Sequence, residues 1–228
     1  MNWNKIAVFD FETDSPDPNV CQPVQLACVI IDPRNLRVIE GSEFVSDMRP
    51  IDINQPDYYT KYKDTIEWHS KNYGCTPEEI FAKWKDAPLQ KSVWNDFCDY
   101  LLKYHKQTDK KSLFSAPLPA GANILRFDLT IVQRLCTLYG QVSSRGESNI
   151  FFNRDLIDTQ TLAFYWFENM NEPKSYSADS LKDFFGMSKA NSHDALGDCK
   201  FCAELICKFM RLNRRFAPSV HFKGSCSK

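Results

Sequence analysis

The first apolar segment of the chain carries two acids, and this feature limits most strongly how the sequence can fold. Lys5–Phe11 reads KIAVFDF, and its β-branched and aromatic residues predict a strand. Asp10 and Glu12 then project from one face, roughly 6 to 7 Å apart, while Phe11 projects from the other. Two carboxylates on an apolar face are costly unless they are neutralised. Either they lie exposed at a sheet edge, or a hard cation such as Mg²⁺ binds their oxygens.

The order of strand and helix signals predicts an α/β fold. Two further β-rich segments, Val24–Ile31 and Leu36–Val45, follow with prolines between them, which predicts an antiparallel meander. Short strands and helices then alternate. Strands are predicted at 119–124 and 150–152. One helix is predicted to begin at Thr76, and further helices are predicted at 89–104, 129–139, 158–167, 180–185 and 193–214. No repeat or linker divides the chain. We expect one domain over residues 1–228, with a mixed sheet of antiparallel and parallel strands flanked by helices.

The charge balance is uneven along the chain. The formal net charge of −1, from 28 basic and 29 acidic residues, at first argues against a polyanionic partner. However, Leu205–Lys228 holds six of the basic residues and no acid, so the body is acidic and the end is basic. The tail from about residue 214 is therefore expected to be either a solvated, flexible terminus or an arm that contacts phosphates.

The cysteines and the apolar runs indicate a soluble protein of a reducing compartment. The nine cysteines accompany an N-terminal sequence without a signal-peptide pattern, so we expect free thiols and a cytoplasmic location. Cys199 and Cys202 form a CxxC without a second pair at zinc spacing, which favours core or helix-surface positions over a zinc site. The longest apolar run, Ala27–Ile31, is too short to cross a bilayer, so no membrane association is expected.

Further acids stand where predicted strands pass into helices. Asp128 follows the segment that begins at Gly121, and it is either a helix N-cap or a second acid facing the same cleft as Asp10. Asp198 lies five residues after His193 at the start of the last helix. Those two side chains can address one site only if His193 lies just before the regular helix, and Ser192 or Asp194 as a cap would allow that.

Taken in order, these elements read D-x-E-T, N-x3-F-D and H-x4-D, and the conjunction resembles the histidine-bearing branch of the DEDD superfamily of 3′-to-5′ exonucleases, whose fold is ribonuclease H-like. Three other segments are similar to that family: Asp158–Leu162 (D-T-x-x-L), Ser180–Gly186 (S-L-x4-G) and Thr65–His69, in which a histidine replaces the second tryptophan of T-I-x-W-W. The resemblance extends from Ile6 to about Met210.

The resemblance implies a set of site residues. It assigns Asp10, Glu12, Asp128 and Asp198 as carboxylate ligands of two Mg²⁺ ions, with Mn²⁺ able to substitute, and His193 as the general base. It places Thr13, Asn123 and Phe127 near the substrate. Ala122 departs from the family, in which many members have His or Tyr at that position. The chemistry fits, because two metal ions can activate water and stabilise the leaving oxygen, and a neutral histidine can accept a proton near pH 7.

The sequence therefore predicts stepwise hydrolysis from the 3′ end of single-stranded DNA, releasing nucleoside 5′-monophosphates. One alternative is a 3′-to-5′ exoribonuclease acting on short RNA, similar to oligoribonuclease. Another is a nucleic-acid-binding module without catalysis. The stretch from Tyr58 to Lys63, and the lysines 106, 110 and 111, could contact the strand. Equally, the tyrosines could be core residues and the lysines solvated.

Overall fold

A mixed sheet forms the centre of the protein. The computed structural model describes residues 4–106, 113–152, 155–186 and 194–219, and within them the strands are β1 (Ile6–Thr13), β2 (Pro23–Asp32), β3 (Arg37–Val38), β4 (Phe44–Asp47), β5 (Leu118–Gly121) and β6 (Ile157–Asp158). β1 lies inside the sheet, antiparallel to β2 and parallel to β5, and β6 runs parallel to β5. The predicted fold class, an α/β fold of the ribonuclease H-like kind, is confirmed.

Helices cover both faces of the sheet. They are α1 (Tyr58–Lys61), α2 (Lys63–Tyr73), α3 (Pro77–Asp86), α4 (Gln90–Leu102), α5 (Asp128–Tyr139), α6 (Thr159–Phe167), α7 (Ala178–Phe184) and α8 (Ala195–Phe216), with short 3₁₀ turns at Leu113–Ser115 and Ala217–Ser219. On one face, Ala7, Phe9 and Phe11 of β1 pack in a core with residues of α4 and α5. On the other, Ile6 and Val8 pack in a core with residues of α6, α7 and α8.

This alternation fixes the position of the two acids of β1. Residues 6 and 8 face α8, so the period of two carries Asp10 and Glu12 to the same side, beyond the end of the apolar cluster. Phe11 lies in the opposite core, as predicted. Because Glu12 is only 9% exposed and Asp10 is partly buried, the alternative in which both acids lie exposed to water at a sheet edge is wrong.

Two of the predicted strands are wrong. The single strand expected over residues 36–45 is two short strands, and both pair with β2. The chain turns at Gly41, which has a left-handed φ of 70°, and the Ser42 hydroxyl accepts the N–H of Ile30 in place of a ladder carbonyl. Residues 150–152 are not a strand either. Phe151 is instead a core residue that stacks on Phe9, with ring centroids 4.7 Å apart.

The segment before Thr76 contains two helices, α1 and α2, that no sequence period indicated. The buried residues of α2 are Ile66, His69 and Ser70, whose spacing is helical. Two of the three are polar, which hid the apolar stripe that usually identifies such a helix. By contrast, the predicted start of α3 is confirmed, because Thr76 and Glu79 form a capping box.

The C-terminal helix is anchored further than expected. α8 continues to Phe216, and Arg211 and Arg214 donate to the backbone carbonyls of Leu36 and Pro33 at the turn after β2. The rest of the predicted basic tail, from residue 220, lies outside the described residues. The eight cysteines of the described ranges are free thiols, and the CxxC pair is buried in the core. In the same ranges, no helix is long and apolar enough to cross a membrane.

Candidate active site

Three carboxylates from distant parts of the sequence meet at one end of the sheet. Asp10 and Glu12 come from β1, and Asp198 comes from the first turn of α8; one oxygen from each lies within 4.8 Å of the other two. The start of α8 is held in place by two hydrogen bonds. The Asp194 side chain caps the helix by accepting the N–H of Gly197 at 3.1 Å, and the N–H of Ala195 donates to Gln25 of β2 at 3.1 Å. We call Asp10, Glu12 and Asp198 the carboxylate cluster.

Asp128 lies beside this cluster but outside that set of three oxygens. It is the first residue of α5 and makes no N-cap hydrogen bond there; instead its buried Oδ1 accepts the backbone N–H of Phe11 at 3.1 Å. The pairing of β1 with β5 ends at Val8, so Asp128 binds an N–H beyond the end of that ladder. The side chain of Asp128 therefore fixes the backbone between Asp10 and Glu12.

The D-T-x-x-L segment supports the loop that leads to Asp128. Asp158 caps α6 by accepting the N–H of Gln160 at 2.8 Å, and its second oxygen accepts the N–H of Ile124 at 3.0 Å. One carboxylate thus joins the start of α6 to the turn between β5 and α5.

Burial of the acids and their closeness to one another raise their pKa values. Burial, followed by the charges of Asp198 and other nearby acids, raises the pKa of Glu12 to about 8. Burial also raises the pKa of Asp128 to about 8, although the N–H of Phe11 opposes it. The pKa of Asp10 is raised well above its ordinary value, first by burial and then by the charges of Asp128 and Glu12. Without a cation, this group of acids therefore retains protons near neutral pH.

Lys182 is part of the site, and the sequence analysis missed it. It lies on α7, is only 4% exposed, and its Nζ is 2.5 Å from Oδ1 of Asp198. The S-L-x4-G segment was identified, but nothing in its spacing distinguishes an inward lysine from a solvated one.

A cavity of about 860 Å³ opens from the cluster. All three acids of the cluster line it, together with an aromatic and basic wall formed by Lys61 of α1, Trp68 of α2 and Tyr62 between the two helices. Two smaller cavities, of about 410 and 310 Å³, contain no member of the cluster. The large cavity is therefore the space in which the acids can meet a ligand.

Two of the three residues that were predicted to lie near the substrate line this cavity, and the third does not. Thr13 and Phe127 line it. The Thr13 carbonyl accepts Nε2 of the buried His69 at 3.0 Å, which gives a structural role to the histidine that replaces the second tryptophan of T-I-x-W-W. Asn123 is exposed at a turn with a φ of 53° and is not among the lining residues. His193 lies outside the described residues.

The residues considered as contacts to a nucleic-acid strand also lie in different surroundings. Tyr58 is a core residue, 1% exposed, whose hydroxyl donates to Asp14, so the core alternative is correct for it. Lys63 is exposed and pairs with Glu67 at 3.6 Å. The described Lys106 is not among the lining residues, and positions 110 and 111 are outside the described ranges.

Comparison with known proteins identifies the fold. No protein-family profile and no curated protein sequence matches the chain. Among solved structures, Escherichia coli exonuclease I in complex with a dT13 oligonucleotide has a TM-score of 0.62 at 19% identity, over 95% of this chain and 43% of that one. Exonuclease I from Methylocaldum szegediense has a TM-score of 0.62 at 17% identity, over 94% and 43%.

Cell-death related nuclease 4 (CRN-4) has a TM-score of 0.61 at 15% identity, over 92% of this chain and 65% of that one. One further structure is the zinc-bound form of the E. coli exonuclease I complex with single-stranded DNA, with a TM-score of 0.61 at 18% identity. At these identities the likeness establishes the shared fold. The chain spans less than half the length of the exonuclease I structures.

Proposed function

We propose that this protein is a metal-dependent 3′-to-5′ exonuclease that hydrolyses single-stranded DNA and releases nucleoside 5′-monophosphates. The observation that carries the proposal is the convergence of Asp10, Glu12 and Asp198 at the end of an open cavity of about 860 Å³. The same fold occurs in exonuclease I, which has been solved with single-stranded oligonucleotides.

The donor set fits hard divalent cations. The cluster offers carboxylate oxygens within 4.8 Å of one another, and such ligands suit Mg²⁺ or Mn²⁺ better than softer metals. Asp10, Glu12 and Asp198 would hold the ions, and Asp128, which lies next to them, is proposed as the fourth carboxylate ligand. Two bound ions would activate the attacking water near neutral pH and neutralise the charge on the scissile phosphate.

The protein's own contribution is to assemble and orient these ligands. Asp128 fixes the backbone between Asp10 and Glu12, and Asp194 and Gln25 fix the first turn of α8 that carries Asp198. The carboxylates therefore come from three elements whose relative positions are set by the sheet and its covering helices. This preorganisation supports catalysis because the ligands need not rearrange during the reaction.

We further propose His193 as the general base. Its motif position, five residues before Asp198, and a neutral imidazole near pH 7 to 8 support that role. His193→Ala should lower the rate and flatten the rise of the pH–rate profile on its acid limb. An unchanged profile would remove the histidine from the mechanism.

The aromatic residues that line the cavity support the proposal of a single-stranded substrate. Trp68 is 42% exposed, and it lines the cavity together with Tyr62 and Lys61. Aromatic faces stack on any unpaired base, and a lysine beside them can contact the backbone. A base-paired end would have to separate before its bases could stack on this wall.

The direct test uses end-blocked oligonucleotides with Mg²⁺. A single-stranded DNA with a phosphorothioate block at its 3′ end should resist degradation, whereas the same block at the 5′ end should have no effect. Chromatography should identify the products as 5′-monophosphates. Degradation only from the 5′ end would overturn the polarity, and preference for matched RNA would favour the exoribonuclease. Binding without turnover would favour the non-catalytic module.

A further inference from the structure

Lys182 is a buried cation inserted among the acids of the site. Its side chain is 5% exposed, while that of its partner Asp198 is 19% exposed. The ammonium also lies over the ring of Phe201, 5.4 Å from the ring centroid, so part of its surroundings is apolar. A lysine is rarely buried to this extent unless a carboxylate compensates its charge.

The carboxylate cluster in turn lacks other compensation from described residues. Among the ion pairs between described residues, the Lys182–Asp198 pair is the one that includes a member of the cluster. One oxygen each of Asp10 and Glu12 lies within 4.8 Å of an oxygen of Asp198, and the Lys182 ammonium is 2.5 Å from Oδ1 of Asp198. At these separations in a buried site, the ammonium attracts all three acids of the cluster.

We propose that Lys182 is the resident counter-ion of the carboxylate cluster: it holds Asp198 in place and stabilises the assembled acids before a divalent cation binds. This inference rests on the metal site of the proposed function. Lys182 is a positioning residue here, since it acts through Asp198 and is assigned no contact with substrate.

The role has a consequence for metal affinity. Lys182 and a divalent ion neutralise the same carboxylates, so each weakens the stabilisation that the other provides. Because such coupling is reciprocal, removing Lys182 must strengthen metal binding by the same free energy by which bound metal reduces the cost of removing Lys182. A residue that only packed against Phe201 would show no such coupling.

The test is a thermodynamic cycle between Lys182 and Mg²⁺ at pH 8. Lys182→Met keeps the length of the side chain and removes its charge, and Lys182→Gln retains an N–H donor for Asp198 as a second variant. We expect both to melt at a lower temperature than wild type in EDTA. Their Mg²⁺-induced rise in melting temperature should be larger than that of wild type. Calorimetric titration should show Mg²⁺ binding about tenfold tighter.

Lys200→Met is the matched control, because Lys200 forms an exposed ion pair with Glu43, at 2.9 Å and away from the cavity. Its Mg²⁺ affinity should equal that of wild type. Unchanged or weaker Mg²⁺ binding in the folded Lys182 variants would overturn the counter-ion role, even if the wild type binds Mg²⁺ and hydrolyses DNA. Absence of Mg²⁺ uptake by the wild type would instead remove the proposed metal site, and this inference with it.

Discussion

Asp10 and Glu12 on β1 and Asp14 directly after it lie within five residues of one another, and the two sets of acids are stabilised in opposite ways. Asp14 is fully buried, and protein donors satisfy both its oxygens: the N–H of Gln22 and the hydroxyl of Tyr58, each at 2.7 Å. Burial raises its pKa to about 6, and these hydrogen bonds limit the rise. Asp14 therefore holds the loop after β1 against α1.

Asp10 and Glu12 have no such donors among the described residues, and the groups that act most strongly on them are other carboxylates. Burial alone therefore does not identify a functional acid. A buried acid that is satisfied by the protein stabilises the fold, whereas buried acids that crowd one another must either keep their protons or bind a cation. The predictions below test whether this distinction holds.

The largest effect is expected for Asp10→Asn. The variant keeps the shape of the side chain but removes a charge from the cluster, so turnover on single-stranded DNA should fall by about a thousandfold or more. Its melting temperature in EDTA should not decrease, because carboxylate repulsion is relieved. Kinetics and thermal melting check the two parts. Wild-type turnover in this variant would contradict the assignment of the cluster.

The second prediction concerns pH. In EDTA, the folded protein retains a proton on Glu12 up to about pH 8, whereas the ordinary glutamate pKa is 4.5. The free energy of unfolding should therefore fall as pH rises between these values, because the folded state binds protons that the unfolded chain has released. Asp14 should contribute in the same direction up to about pH 6.

Mg²⁺ should flatten this decline, because metal ligands must lose their protons. The check is the free energy of unfolding from pH 5 to 8.5, in EDTA and in Mg²⁺, with Glu12→Gln as the control whose slope in EDTA is smaller. Stability that increases with pH in EDTA would show that the acids are not destabilised by crowding.

A third substitution tests whether the acids of the cavity and its aromatic wall act independently. Trp68→Ala removes an exposed stacking surface, so KM for single-stranded DNA should rise about fivefold to a hundredfold. Mg²⁺ affinity should stay at the wild-type value, because Trp68 is not a member of the cluster. Steady-state kinetics and calorimetry measure the two quantities. Equal loss of Mg²⁺ binding would show that the wall and the acids are not independent.

The smallest effect is expected from a substitution next to Asp14, the acid that is satisfied by protein donors. Tyr58→Phe removes one donor from the buried Asp14 and should lower the free energy of unfolding by about 1 to 3 kcal/mol. The affinity for Mg²⁺ should not change. Urea unfolding and calorimetric titration provide the measurements, and Tyr59→Phe, whose hydroxyl bonds to the exposed Glu78, serves as the control. A tenfold loss of Mg²⁺ affinity in Tyr58→Phe would make Asp14 part of the metal site.

Sequence patterns predicted the features that depend on residues close together in the chain, such as the alternation of a strand or the cap of a helix. The face shared by Asp10 and Glu12 follows from the period of a strand, and the starts of α3 and α6 follow from capping residues. The division of β3 from β4 depends on a hydroxyl, that of Ser42, which satisfies a strand twelve residues away. No periodicity in the sequence predicts such an interaction.

The candidate site shows the same limit. The motif order indicated Asp10, Glu12 and Asp198, and the fold brings those three acids together. Lys182 was missed because its role depends on contact with α8, and its own helix is too short to show which face is buried. The contact of Asp128 with the N–H of Phe11 joins residues 117 positions apart, so it too required the tertiary structure.

If the carboxylate cluster binds the catalytic ions, hydrolysis must depend on a divalent metal. The most direct measurement is a time course on 5′-labelled single-stranded DNA, with the wild-type protein in excess EDTA and with Mg²⁺ restored. We expect an intact strand in EDTA and, once Mg²⁺ is added, a ladder of products shortened from the 3′ end. Shortening at the same rate in EDTA would contradict it.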